Sequence, residues 1–272
     1  MAWFTPSSRF TPLALAVALM LGLGVNVPAQ VKAQLPLNSL GGQLENSFRA
    51  PRTDTGAPEN REGGATRGPC IKDNKNTLVA LVPQSGVGNT SATYPTIYWY
   101  MPQLKTEDAK SPVLEFTLRD ANAQEVYSAK YSLTKNAEGI VGAPGLMSLT
   151  VANIYPLQAD QVYQWDLTLR CDSTSSDRSQ DMYVVGAIKR VEPEPTLALS
   201  LQRATPQERV ALYAKAQLWY ETLGTLAQLR AERPNDPILA DAWSRLLDSV
   251  DLNSISREPL FQGVRSLTTN NQ

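Results

Sequence analysis

Hydrophobic and polar positions alternate most regularly between Tyr163 and Cys171. Tyr163, Trp165, Leu167, Leu169 and Cys171 are apolar, and Gln164, Asp166, Thr168 and Arg170 between them are polar. A strand sends successive side chains to opposite faces, so this pattern predicts a strand with one buried and one wet face. Similar segments recur from Asn76 to Val191. Thr77 to Val82 is a short apolar run, and Thr96 to Met101 sets Ile97, Trp99 and Met101 against Tyr98 and Tyr100. Val113 to Arg119 aligns Leu114, Phe116 and Leu118, and Glu125 to Leu133 aligns Tyr127, Ala129, Tyr131 and Leu133. The turn Asp120-Ala-Asn-Ala123 between them predicts a hairpin. Gly139 to Leu149 is interrupted by Gly142, Pro144 and Gly145 and reads as an irregular edge segment. Tyr183 to Val191 is a last strand. About seven short strands with turns roughly ten residues apart predict an antiparallel β-sandwich of the immunoglobulin or fibronectin kind over 76–191.

After Glu192-Pro-Glu-Pro195 the period changes from two to about 3.6. Leu197 to Arg203 predicts a short helix. Thr205-Pro206-Gln-Glu208 is a capping box with proline at the first helical position. Helices are expected over Pro206 to Ala216 and Leu218 to Glu232. Pro234-Asn-Asp236-Pro237 ends the second and caps a further one carrying Leu239, Ala242, Trp243, Leu246, Leu247 and Val250. This gives a small α-helical subdomain over 196–252, followed by a flexible polar tail over 253–272.

The N-terminal end changes the picture. Arg9, the uncharged run Leu13 to Val25 and Val31-Lys-Ala33 have the order of an export signal over 1–33, with an uncleaved anchor as the alternative. Cleavage would take away Arg9 and Lys32 and move the net charge from −1 to −3. The protein is then expected to be exported, periplasmic or extracellular, with no membrane span in the mature chain. Residues 34–75 lack apolar periodicity and read as an irregular lead-in. Gly63, Gly64 and Gly68 within it fit a linker better than an anion cradle, since no helix follows. In an oxidising compartment the two cysteines, Cys70 and Cys171, are expected to form a disulfide closing a loop of about 100 residues. The alternative is two independent thiols, with Cys171 a small buried apolar group.

Composition removes several functions. No histidine is present, which excludes a Ser-His-Asp triad, a Cys-His pair and a histidine-ligated zinc site. Near-neutral charge gives no attraction for nucleic acid. Ser132-Leu-Thr-Lys135 has the Ser-x-x-Lys spacing, but ends a strand where that chemistry needs a helix start, and Lys-Thr-Gly is absent. Glu115, Asp120, Asp166 and Asp181 are the candidates for a histidine-free carboxylate pair. Asp172 to Asp177 holds oxygen ligands but lacks the glycine and distal glutamate of a calcium loop. No cofactor is implied. The richest group is Tyr94, Tyr98, Trp99 and Tyr100. With Trp99 in the core, Tyr98 and Tyr100 would face outward as contacts for a glycan or protein partner; otherwise the helices cover them.

Tyr213, Ala214, Trp219, Leu223, Leu226 and Pro234 fall where a tetratricopeptide-type helix pair places large, small, aromatic, apolar, apolar and helix-ending residues, so the helical part resembles one degenerate repeat. It departs at Gln217, where glycine is usual, and at Thr222, where alanine is usual, and no second repeat follows. Gly63-Gly-Ala-Thr-Arg-Gly68, Tyr94-Pro-Thr-Ile-Tyr-Trp-Tyr100, Tyr163-Gln-Trp165, Cys171-Asp172, Ala211-Leu-Tyr-Ala214, Leu218-Trp-Tyr220, Pro234-Asn-Asp236 and Trp243-Ser-Arg-Leu-Leu247 together resemble the cyanobacterial family called domain of unknown function 928. The resemblance implies an exported protein of a photosynthetic bacterium and brings no catalytic residue. The expected function is a non-catalytic envelope protein for protein or glycan interaction. The alternatives are a histidine-free hydrolase of the glycosidase kind and a structural subunit of an envelope complex.

Overall fold

The computed structural model describes residues 40–48, 61–62, 70–71, 77–105, 111–133, 135–136, 139–140, 145–151, 155–256, 258 and 265–266, all within the compact unit Leu35–Gln272. The expected signal over 1–33, the glycines 63, 64 and 68 and most of the tail lie outside these residues. In chain order the elements are α1 (Leu40–Ser47), β1 (Val79–Ala80), β2 (Val87–Thr90), β3 (Thr96–Met101), β4 (Val113–Arg119), β5 (Glu125–Ser132), β6 (Lys135–Asn136), β7 (Gly139–Ile140), β8 (Gly145–Thr150), β9 (Val162–Arg170) and β10 (Met182–Arg190), then α2 (Pro195–Arg203), α3 (Pro206–Lys215), α4 (Trp219–Glu232), α5 (Pro237–Asp248), α6 (Asn253–Ser256) and β11 (Arg265–Ser266).

Two sheets carry the fold, one in the order β1-β3-β8-β11 and the other β2-β10-β9-β4-β5, with β6-β7 a separate hairpin. The strand with the cleanest alternation, β9, lies in the middle of the larger sheet, and Tyr163, Trp165, Leu167 and Leu169 are buried. On its other face, Arg119 and Asp166 form an ion pair. The hairpin β4-β5 pairs Val113 with Ser132 through to Leu118 with Tyr127, as the alternation predicts. Both sheets and the helices feed one apolar cluster. Cys70 and Cys171 are disulfide-bonded, with Cα atoms 5.7 Å apart.

The structure corrects the pattern at several places. The expected irregular edge over Gly139 to Leu149 is corrected from Gly145 on: β8 lies between β3 and β11 and pairs with β3 from Thr96–Thr150 to Met101–Gly145. Leu146, Met147, Ser148 and Leu149 are all buried, and a strand covered on both faces has no alternation to read. β2 went unpredicted; it pairs in parallel with β10, Val87 opposite Ala187. The lead-in contains α1, whose Leu40 and Leu44 are buried and which packs on α5 and α3. Beyond residue 252 the chain continues into α6, with Ile255 buried, and β11 pairs with β8.

The helices are seated on the sheets through α4. Trp219 Nε1 donates to the Leu81 carbonyl at 2.9 Å. The Tyr220 hydroxyl donates to the Ala187 carbonyl at 3.1 Å and accepts from Trp165 Nε1 at 3.3 Å. Gly88 makes this approach possible, because a Cβ there would lie 2.8 Å from Tyr220 Cε2 and 2.9 Å from Trp219 Cδ1. Phe48, just past α1, meets Trp219 edge-on at 5.0 Å.

Candidate functional site

A cleft of about 250 Å³ lies between the loop after β2, the start of β3 and the helices α3 and α4. Thr90 comes from the end of β2 and Ala92 from the loop after it, Tyr94 and Tyr98 from the approach to β3 and its body, Tyr213 from α3, and Tyr220, Glu221, Gly224, Thr225 and Gln228 from α4. Tyr94 is 42% exposed and forms the rim. Gly224 lets α4 come close: a Cβ there would stand 2.6 Å from Tyr98 Oη.

Glu221 builds the wall. It lies in the first turn of α4, where the unpaired N–H groups of a helix favour negative charge. Its Oε1 accepts from Thr90 Oγ1 at 2.8 Å, Ser91 N at 2.7 Å, Ser91 Oγ at 2.9 Å and Ala92 N at 3.2 Å. One carboxylate oxygen thus fixes the loop that closes β2. Its Oε2 is buried and has no hydrogen-bond partner among the described residues. Burial, and then the Glu221 charge, push the Tyr98 phenol up to about 12. Burial and Glu221 also raise Tyr213, with Arg209 acting in the opposite direction. Burial raises Tyr220.

The tyrosine pair expected to face outward is covered. Tyr98 is 8% and Tyr100 5% exposed, because both faces of β3 are packed and Tyr98 stands against Gly224 of α4. Tyr98 lines the cleft and Tyr100 does not, so the expected outward orientation is corrected, and Tyr94 is the exposed tyrosine of the group.

The acidic candidates are committed to ion pairs or turns. Glu115 meets Lys130 Nζ at 2.9 Å and Arg178 at 2.7 Å, and Asp181 meets Arg178 Nε at 2.9 Å. Arg170, itself buried, reaches both Glu115 and Asp181 at 3.5 Å. Partial burial pushes Glu115 up, but the bonds from Lys130 and Arg178 outweigh it and hold the carboxyl at about 2. Such a group carries no proton to donate at neutral pH. Asp166 pairs with Arg119, and Asp120 accepts from Asn122 N and Gln124 N in the hairpin turn. Asp172 accepts from Thr174 N and Oγ1, and Asp177 from Ser179 N, so both close turns of their own loop. Ser132 ends β5 and Lys135 opens β6, so both lie in strands rather than at a helix start.

Sequence reasoning missed Glu221, Tyr213, Tyr220 and Gly224. A glutamate in a first helical turn is an ordinary solvated residue by pattern, and only the folded loop brings Thr90 to Ala92 onto it. The glycine inside an otherwise helical segment was the one available signal, since it costs about 1 kcal/mol against alanine and so marks a close approach.

The model of a family described as Domain of Unknown Function (DUF928) matches residues 62–260. No curated protein matches the chain. Among solved structures, Parabacteroides merdae β-glucuronidase with glycerol in its active site is 14% identical, over 43% of this chain and 13% of that one, with a TM-score of 0.22. A second structure of Parabacteroides merdae β-glucuronidase is 10% identical, over 69% of this chain and 28% of that one, with a TM-score of 0.23. The chain thus spans less than a third of either enzyme, and overlaps this slight carry no argument about activity.

Proposed function

The chain belongs to the DUF928 family, and from that premise, which assigns no activity, we propose an exported, non-catalytic envelope protein that holds a pendant group of a glycan or protein partner in the Tyr94–Tyr98–Tyr213 cleft. The observation that carries this reading is the cleft itself: tyrosine rings at its mouth and wall, and a buried carboxylate oxygen left without a donor. Concave sites with a few polar groups among aromatic ones are where small ligands bind. The Cys70–Cys171 disulfide favours an oxidising compartment, in keeping with the N-terminal export pattern. The commitment of Glu115, Asp166 and Asp181 to ion pairs favours binding over a carboxylate-pair hydrolase.

The two sheets read as an immunoglobulin-type sandwich. In favour stands the order β10-β9-β4-β5, which matches G-F-C-C′, beside β1-β3-β8, which matches A-B-E. The disulfide departs from that type: it ties the segment before β1 to the end of β9 rather than bridging β3 and β9. The α3–α4 pair reads as a single tetratricopeptide-type hairpin, supported by buried Ala214, Trp219, Leu223 and Leu226 and by φ of 59° at Gln217, where that pattern has glycine. A second reading, a structural subunit, is favoured by α2, which buries no residue and leaves Leu199 62% exposed.

The test titrates the purified protein with soluble envelope polysaccharide fragments, following intrinsic fluorescence. Saturable binding that Tyr94→Ala weakens is expected. Binding untouched by Tyr94→Ala would remove the cleft from the reading, and hydrolytic turnover of the fragments would replace it with the enzyme. Elution as a stable oligomer with no fragment binding would favour the structural subunit.

A further inference from the structure

The two oxygens of Glu221 are unequally served. Oε1 accepts four hydrogen bonds from Thr90, Ser91 and Ala92, while Oε2 is buried with none. A buried carboxylate oxygen without a donor is costly, so its retention points to a group that arrives from outside. Among the described residues no lysine or arginine lines the cleft, and Glu221 is the charged side chain in its lining. Tyr94, Tyr98, Tyr213 and Tyr220 line the same cleft. The Tyr220 hydroxyl is already committed to Ala187 and Trp165, which leaves its ring as its contribution.

We infer that the cleft is a receptor for a small organic ammonium group, with the Glu221 carboxylate as counter-charge and the tyrosine rings as its walls. A ring face attracts a cation through its quadrupole, and the attraction grows as water is excluded. A neutral sugar would bring no counter-charge to Glu221. The ammonium would be carried by the glycan or protein partner, for example as the free amine of an amino sugar. This inference rests on the proposal that the cleft takes a ligand, and goes beyond it by fixing the sign of the ligand's charge.

The experiment compares two probes of the same shape on the full chain by calorimetry: choline, a cation, and 3,3-dimethylbutanol, its neutral carbon counterpart. The wild type is expected to bind choline at least tenfold more tightly. Glu221→Gln keeps an oxygen for the Thr90–Ala92 donors but removes the charge, and should bring choline down to the level of the neutral probe, a tenfold loss worth about 1.4 kcal/mol. Should that substitution disturb the loop, Tyr94→Ala at the exposed rim reports on the same site and should weaken choline at least threefold. Equal binding of the two probes, a preference that survives Glu221→Gln, or a choline affinity indifferent to Tyr94→Ala overturns the ammonium inference while leaving a cleft that binds neutral groups. Failure of choline, the neutral probe and the polysaccharide fragments alike to bind overturns the cleft reading as well.

Discussion

Gly88→Ala places a methyl group where the structure has no room. The new Cβ would stand 2.8 Å from Tyr220 Cε2, 2.9 Å from Trp219 Cδ1 and 3.3 Å from Trp219 Cβ. Neither ring can retreat freely. Trp219 is held by its bond to the Leu81 carbonyl, and Tyr220 by bonds to Ala187 and Trp165. Relief therefore requires α4 to shift off β2. Overpacking of this kind costs about 1–3 kcal/mol. The narrower unfolded ensemble of alanine offsets about 0.4–1 kcal/mol of that. The net expectation is a loss of about 1–2 kcal/mol, or about 2–8 °C in Tm for a body of this size. Urea unfolding followed by tryptophan emission and by far-ultraviolet circular dichroism measures it, and both probes should shift together with an unchanged slope. Trp99, Trp165, Trp219 and Trp243 are all fully buried across sheets and helices, so the emission reports on the seam as well as the core. A variant as stable as the wild type, or more so, would refute the seating of α4 on β2.

Three further outcomes follow from other contacts. Replacing Cys70 and Cys171 by serine should lower stability by up to about 4.7 kcal/mol, the chain-entropy value for a loop of about 100 residues, and dithiothreitol should shift the wild-type urea midpoint the same way. Glu115 has its folded value at about 2 against an ordinary 4.5, so its ionised form stabilises the fold above about pH 4.5 and that contribution fades as pH falls towards 2. Glu115→Gln should then cost about 1–2 kcal/mol at pH 7, discounted for the exposed Lys130 and Arg178 partners, and nothing near pH 2, read from unfolding midpoints across that range. Asp236 caps α5 by accepting from Ile238 N and Leu239 N; Asp236→Ala should cost about 1 kcal/mol in a thermal melt, and an unshifted melt would deny the cap its role.

The parts of the fold that were legible share one physical condition, a single buried face. β9, β4 and β5 present water on one side, so their alternation survives in the sequence. The box Thr205–Glu208 and the cap Asp236 were legible because the donors they satisfy are local. β8 and the outer face of β3 were not, since burial on both sides erases the period that distinguishes in from out. α1 and β2 are short, and distant partners define them: α5 for the first, β10 for the second. The candidate site fails for the same reason. Tyr94 and Tyr98 stood out as an aromatic group, but the carboxylate that gives their cleft a charge sits 123 residues beyond Tyr98 and meets the loop only after the helices dock.

The bond between Cys70 and Cys171 also divides the chain mechanically. A pulling force applied at the two ends would pass through the sulfur bridge and bypass everything between them. β1 to β9 fall inside this closed ring, while α1, β10, β11 and helices α2 to α6 lie outside it and take the load. Stretched in an optical trap, the oxidised molecule would yield only its outer segments. Reduction would release a further length of roughly 330–360 Å, the fully extended span of about 100 residues. A protein so wired would lose its outer helices to tension while its inner strands stayed tethered, ready to refold around them.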